Sequence, residues 1–194
     1  MVSQLKAVQT SIQPAAQAEP ASRPAKVLRH PFLQAIEGTV QVFTSVHRSF
    51  FTNVMVQALR SAEQGLPVLV VQFLKGGIRQ GPAYPNQMGQ NLDWIRCGYA
   101  GCITEATDSP EAKAALTELW HHTLDVVKQG KYGLVVLDEL SLALEFGLLE
   151  EADVLAFLEE RPPHLDVVLT GPQMPYSILS IADQVTEFRR GFLP

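Results

Sequence analysis

Two short segments carry most of the chemistry open to this chain. The first is Ser45, Val46, His47, Arg48, Ser49, Phe50, Phe51 and Thr52, "SVHRSFFT", between a β-rich run and a helical one. A helix that starts just after a strand has unpaired N–H groups at its first turn and a positive dipole end, so it attracts anions. Here His47 and Arg48 could meet a small anion, while Phe50 and Phe51 offer only apolar bulk to fill the helix start. The second segment is Asp138–Glu139, at the end of "YGLVVLDEL". Acids at the end of a buried strand hold a metal ion, directly or through water. They also serve structurally, and Asp138 would then accept hydrogen bonds from neighbouring loop backbone, including the "SVHRS" turn. Lys75 of "QFLKG" and Tyr99 of "CGYAGC" lie in loops that could face the same ligand, although Lys75 reads equally well as a solvated loop residue.

Other reactive side chains point to no chemistry. Cys97 and Cys102, the only cysteines, make neither a disulfide framework nor zinc spacing and read as free thiols. His121 and His122 are neighbours on a helix, so they point in different directions and form no metal pair; Trp120 beside them reads as core. No metal site is expected.

Elements of recognisable pattern must position these residues. "TVQVFT" is a short β-rich run, followed by the helical "NVMVQALRSAEQG" with Gly65 at its end. "LPVLVVQFL" is a continuous apolar strand of the kind buried on both faces of a parallel sheet. A Gly/Pro loop, "KGGIRQGPAYPNQMGQN", leads to a possible strand, "LDWIRC". "SPEAKAALTELWHHTLDVVKQG" is a helix with Ser109 as N-cap, Pro110 at the first turn and Gly130 beyond the end. Then follow the strand "YGLVVLDEL", the helix "LEEADVLAFLEERP", the strand "LDVVLTG", and a last helix and edge strand within "MPYSILSIADQVTEF". Strands alternating with helices indicate an α/β fold, a parallel sheet with helices on both faces. In such sheets ligands bind at the carboxyl ends of the strands, where the named segments should meet.

The 194 residues suffice for one domain with a sizeable core, and 46% are hydrophobic against 18% charged. The formal net charge of -5 argues against a general nucleic-acid binder. Residues 1–30 hold Lys6, Arg23, Lys26 and Arg29 against Glu19, a net of +3, which leaves -8 on the remainder. Their Ala/Gln/Pro/Ser-rich composition predicts a flexible or docking tail at residues 1–30, ahead of a domain at residues 31–194. The longest apolar run is too short to span a bilayer and nothing near Met1 resembles a signal peptide, so a cytoplasmic protein without membrane insertion is expected.

The order "VFT", an eight-residue loop, a helix, "VVQFLKG", an aromatic loop, "ELWHH", "VVLDEL", "ERP" and "VVLTG…ILSIADQVTEF" resembles the ATP:corrinoid adenosyltransferases, colinear from about Gly38 to Phe188. That resemblance implies a three-layer, P-loop NTPase-like domain. It also implies transfer of the 5′-deoxyadenosyl group of ATP to the cobalt of a reduced corrinoid, with the acidic pair serving the metal of MgATP. The family's phosphate loop, G-N-G-K-G-K-T-T, falls on Ser45–Thr52, where all three glycines are absent. Its second lysine falls on Phe50 and its metal-binding threonine on Phe51. The family's aromatic pair in the corrinoid-side loop is reduced to Tyr99 with Gly101, and its glycine-arginine after the fourth strand reads Gly171–Pro172. The glycine-rich C-terminal segment of the family has no counterpart in "FRRGFLP".

Glycines let backbone approach phosphate and lysine neutralises it, so these departures point away from MgATP. The expectation is a non-catalytic homologue, with no catalytic residue and no cofactor, that binds another protein as an adaptor, regulatory or assembly subunit, with a homodimer possible. One alternative is an active adenosyltransferase or corrinoid binder using ATP, Mg and a corrinoid in an altered cradle, with Arg48 replacing the lysine and Glu139 holding the metal. The other is a small-anion sensor at His47 and Arg48.

Overall fold

The structure is a computed structural model that describes residues 37–189. The tail expected at residues 1–30 lies outside them, as do residues 31–36 and 190–194.

The chain order is β1 (Val40–Ser45), α1 (Thr52–Glu63), β2 (Val68–Gln72), β3 (Asn86–Met88), β4 (Leu92–Arg96), α2 (Pro110–Lys128), β5 (Leu134–Asp138), α3 (Leu140–Glu145), α4 (Glu151–Glu160), β6 (Asp166–Pro172), α5 (Tyr176–Ile181) and β7 (Gln184–Phe188). The strands form one sheet in the order β3-β4-β2-β5-β6-β1-β7. Every pairing is parallel except β3 with β4. The edge strand expected within the last segment is β7, beside β1.

Side-chain alternation divides the core between the two faces of the sheet. Leu69, Val71, Val135, Leu137, Val167 and Leu169 pack with residues of α2, α3, α4 and α5, among them Leu116, Leu140, Phe157 and Ile178. Their neighbours Val68, Val70, Leu134, Val136 and Val168 pack with Val54, Met55, Ala58 and Ala62 of α1. The result is the three-layer, P-loop NTPase-like α/β fold. Because the middle strands are buried on both faces, they read in sequence as unbroken apolar runs rather than as alternation.

Local signals explain the termini. Ser109 accepts a hydrogen bond from the N–H of Ala112 at 3.2 Å, Pro110 opens α2, and Gly130 (φ 68°) ends it in the left-handed region. Two elements go beyond the sequence reading. The Gly/Pro loop contains β3, which runs antiparallel on the sheet edge. The strand read through "LDEL" stops at Asp138, because Glu139 has φ 61° and α3 begins at Leu140. The Glu139 N–H leaves the sheet ladder and donates to Thr170 Oγ1 at 2.9 Å.

Candidate functional site

Strand order decides what meets at the carboxyl ends. β6 lies between β1 and β5, and β2 flanks β5 on the other side. The segments after β1, β2 and β5, far apart in sequence, therefore converge on one end of the sheet.

The loop after β1 is held by the chain itself. The hydroxyl of Ser45 donates to the carbonyl of His47 at 2.6 Å. Phe51 sits at the N-cap of α1 without a side-chain cap. The N–H of Thr52 donates to Phe50 O at 3.0 Å, and those of Val54 and Met55 donate to Phe51 O at 3.0 and 3.3 Å. The Met55 bond is the ordinary first bond of the helix, but the Thr52 and Val54 amides, which a helix start leaves open to an anion, are spent on local carbonyls. The two phenylalanines separate. Phe51, 3% exposed, fills the helix start as expected and packs edge-on to Phe188 at 5.6 Å. Phe50 does not fill it; it is 54% exposed, with the Lys75 ammonium 4.7 Å from its ring centroid.

Asp138 and Glu139 are 1% and 3% exposed. Adjacent buried carboxylates persist only when paired and hydrogen-bonded, and here every carboxylate oxygen has a partner. Asp138 Oδ1 accepts from Thr170 Oγ1 at 2.9 Å; its Oδ2 accepts from Gln72 Nε2 at 2.7 Å and Lys75 Nζ at 3.3 Å. The backbone of the "SVHRS" turn, expected to be its donor, is not among these partners. The reason is register, since Gln72 lies directly opposite Asp138 across β2 and β5. Gln72 is oriented in turn by Trp94, whose Nε1 donates to Gln72 Oε1 at 2.9 Å.

Glu139 is gripped by Arg48, with Nε to Oε1 at 2.7 Å and Nη2 to Oε2 at 2.9 Å. Arg48 Nη1 reaches the carbonyl of Ile103 at 3.1 Å. The hydrogen bond with Glu139 raises the Arg48 pKa above its ordinary value, outweighing the opposing effect of burial. Lys75, 3.3 Å from Asp138 and 3.8 Å from Glu139, is an ion-paired residue and not the freely solvated one considered above.

The Tyr99 loop is zipped to the Lys75 loop by Gly76 N to Gly101 O (3.1 Å), Gly77 N to Tyr99 O (2.9 Å) and a bridge between Lys75 and Cys102. Tyr99 is half-buried against the helical core. His47 is exposed and, with Arg48, Ser49, Phe188 and Arg189, lines a cavity of about 450 Å³ beside β1. Cys97 is buried and Cys102 exposed, both as free thiols. Trp120 is core.

In this arrangement the acidic pair is satisfied by the chain itself. Two cations of the chain already neutralise the two acids, and their oxygens are all engaged. Among the described residues no group of three or more His, Cys, Asp or Glu side chains could hold a metal ion. Among the same residues no helix is long and apolar enough to cross a membrane. Sequence reading missed Gln72 and Thr170, though a polar residue inside "VLVVQF" and another inside "DVVLTG" were the signals available.

Comparison with known proteins gives this site a context. The family model for ATP:corrinoid adenosyltransferase BtuR/CobO/CobP matches residues 36–191. The corrinoid adenosyltransferase CobA of Salmonella typhimurium is 31% identical over 160 residues, covering 80% of this chain and 79% of its own length. The corrinoid adenosyltransferase of a Sinorhizobium species is 29% identical over 154 residues, 78% of this chain and 72% of the relative. That of Pseudomonas aeruginosa is 34% identical over 129 residues, 66% and 63%.

Proposed function

Because the chain belongs to the ATP:corrinoid adenosyltransferase family, we propose that it is a member whose nucleotide end is closed by its own side chains and which acts by binding another protein. The observation that carries this reading is the fork of Arg48 onto Glu139, which occupies the acid that the family resemblance assigns to the metal. The loop sequence supports it. Ser45–Thr52 has no glycine to bring backbone against phosphate, and an aromatic ring stands where the lysine would be. One charge-assisted hydrogen bond contributes about 1.5–3 kcal/mol, so losing several weakens nucleotide binding by about a hundredfold or more. An adaptor, regulatory or assembly role in the cytoplasm belongs to the same proposal.

A calorimetric titration of the full chain with MgATP, at concentrations that detect millimolar binding, tests it. No heat is expected, and no adenosyl transfer to a reduced corrinoid. Robust transfer by the purified protein would sink the reading.

A second reading rests on the convergence of Arg48 and Lys75 at the acidic pair. Two cations beside two acids could part to admit a polyphosphate, with Arg48 taking the phosphates and Glu139 the metal. It requires that Arg48→Ala and Glu139→Gln both abolish turnover; activity retained in either variant removes it.

A further inference from the structure

Among the described residues β7 is an open edge of the sheet, with no strand beyond it. Four of its 5 residues, Gln184, Val185, Glu187 and Phe188, are exposed. A free edge presents a row of unpaired N–H and C=O groups to which another strand can add, and proteins blunt such edges with lysine, proline or extreme shortness. The opposite edge is blunted in this way, since β3 has only 3 residues. β7 is longer and carries neither lysine nor proline.

A cavity flanks this edge on each face of the sheet. On the α5 face Val46, Leu179 and Val185 line one of about 320 Å³, and Glu187 is the only charged side chain among its described lining residues. On the α1 face Phe188 stacks on Phe43 and meets Phe51 edge-on, beside the cavity of about 450 Å³ that also holds His47. The charge of that second lining is of one sign, Arg48 and Arg189 with no acid among the described residues. Val46 belongs to both cavities and joins Val185 to Phe188, so these three residues, 54%, 47% and 40% exposed, form a continuous apolar border to the strand.

Strand addition draws affinity from main-chain hydrogen bonds and specificity from pockets that take alternate side chains. Here the cavities also fix a direction. The cationic one lies at the carboxyl end of β7, where Phe188 and Arg189 line it, so a strand added parallel to β7 ends there. Arg48 is spent on Glu139. Arg189 holds only an exposed pair with Glu187 at 2.8 Å, which solvent screens, and His47 is exposed. Both can therefore turn to a carboxylate. A second copy of β7, added about a two-fold axis, would run antiparallel and bring no terminal carboxylate to either cationic cavity.

We propose that β7 receives, by parallel strand addition, the C-terminal segment of a partner protein, its terminal carboxylate at His47 and Arg189 and an apolar side chain against Val46, Leu179 and Val185. This rests on the reading of the chain as a protein-binding member of its family and gives the chemistry of the partner.

Fluorescence anisotropy on the full chain tests it with a heptapeptide of alternating threonine and valine, labelled with fluorescein at its N-terminus and ending in valine with a free carboxylate. The same peptide with a C-terminal amide is the control. The acid is expected to bind saturably and the amide about tenfold more weakly, the equivalent of one charge-assisted hydrogen bond. Arg189→Glu, at an exposed position, should erase that difference by weakening the acid alone, whereas Val185→Lys should weaken both peptides. No saturable binding of the acid overturns the proposal. So does equal binding of acid and amide, a difference that survives Arg189→Glu, or binding unchanged in Val185→Lys. Dimerisation in sedimentation that Val185→Lys abolishes also overturns it, because a second copy then holds the edge. Heat with MgATP removes the protein-binding reading itself, while peptide failure without such heat removes this surface alone.

Discussion

Arg48 and Glu139, 91 residues apart in the chain, meet through two parallel hydrogen bonds of 2.7 and 2.9 Å across the end of β6. Such bidentate pairing is the strong form of an ion pair, and Glu139 makes it from a left-handed backbone conformation, φ 61°. A non-glycine residue held there costs about 1–3 kcal/mol. The site thus carries local strain and two buried acids, stabilised by Arg48 and Lys75 from two loops and by Gln72 and Thr170 from two strands.

Removing one partner should therefore cost more than removing both. Arg48→Met leaves Glu139 buried with only the Lys75 ammonium, 3.8 Å away, beside it, and a loss of about 1–3 kcal/mol is expected in urea melts. The figure stays below that of a wholly buried pair because the Arg48 side chain is about a third exposed. Arg48→Met with Glu139→Gln should recover most of the loss; equal losses in single and double variants would show that the pair is not coupled.

The adjacent phenylalanines should respond unequally to substitution by the family's residues. Phe51→Thr removes a buried ring packed on Phe188, and a loss of about 2–4 kcal/mol is expected. Phe50→Lys acts at an exposed position and should change stability by less than about 1 kcal/mol. Neither change should confer MgATP binding in calorimetry, since the Thr52 and Val54 amides remain bonded to the Phe50 and Phe51 carbonyls.

Gly76 holds the Lys75 and Tyr99 loops in contact. A Cβ there would lie 1.9 Å from the carbonyl oxygen of Tyr99, which is backbone and cannot turn aside. Gly76→Ala should lower stability by about 1–3 kcal/mol or more. Faster amide exchange at Gly77, whose N–H donates to that carbonyl, should accompany the loss.

Tyr132 supplies a pH signature away from the site. Burial, and then its hydrogen bond to Asp93 at 2.7 Å, push its phenol from 10.0 up to about 12. A group whose pKa is raised on folding stabilises the fold below its unfolded pKa and loses that contribution as pH rises through the folded one. Stability should therefore fall between pH 10 and about 12, by at most about 2–3 kcal/mol. Tyr132→Phe should flatten that part of the urea-midpoint curve. Absorbance at 295 nm should show one phenol ionising only towards pH 12.

What the sequence determined by itself is what depends on local physics. Runs such as "VLVVQ" and "LVVLD" can only be doubly buried strands, and Ser109, Pro110 and Gly130 delimit a helix. Tertiary structure alone decided which charges pair, because strand order is not written in any local pattern. Only the sequence β2-β5-β6-β1 sets Gln72 against Asp138 and lets Arg48 and Lys75 reach the acids from separate loops. The same holds for Phe50 and Phe51, identical in type and adjacent, of which Phe51 is packed against Phe188 and Phe50 lies at the surface beside Lys75.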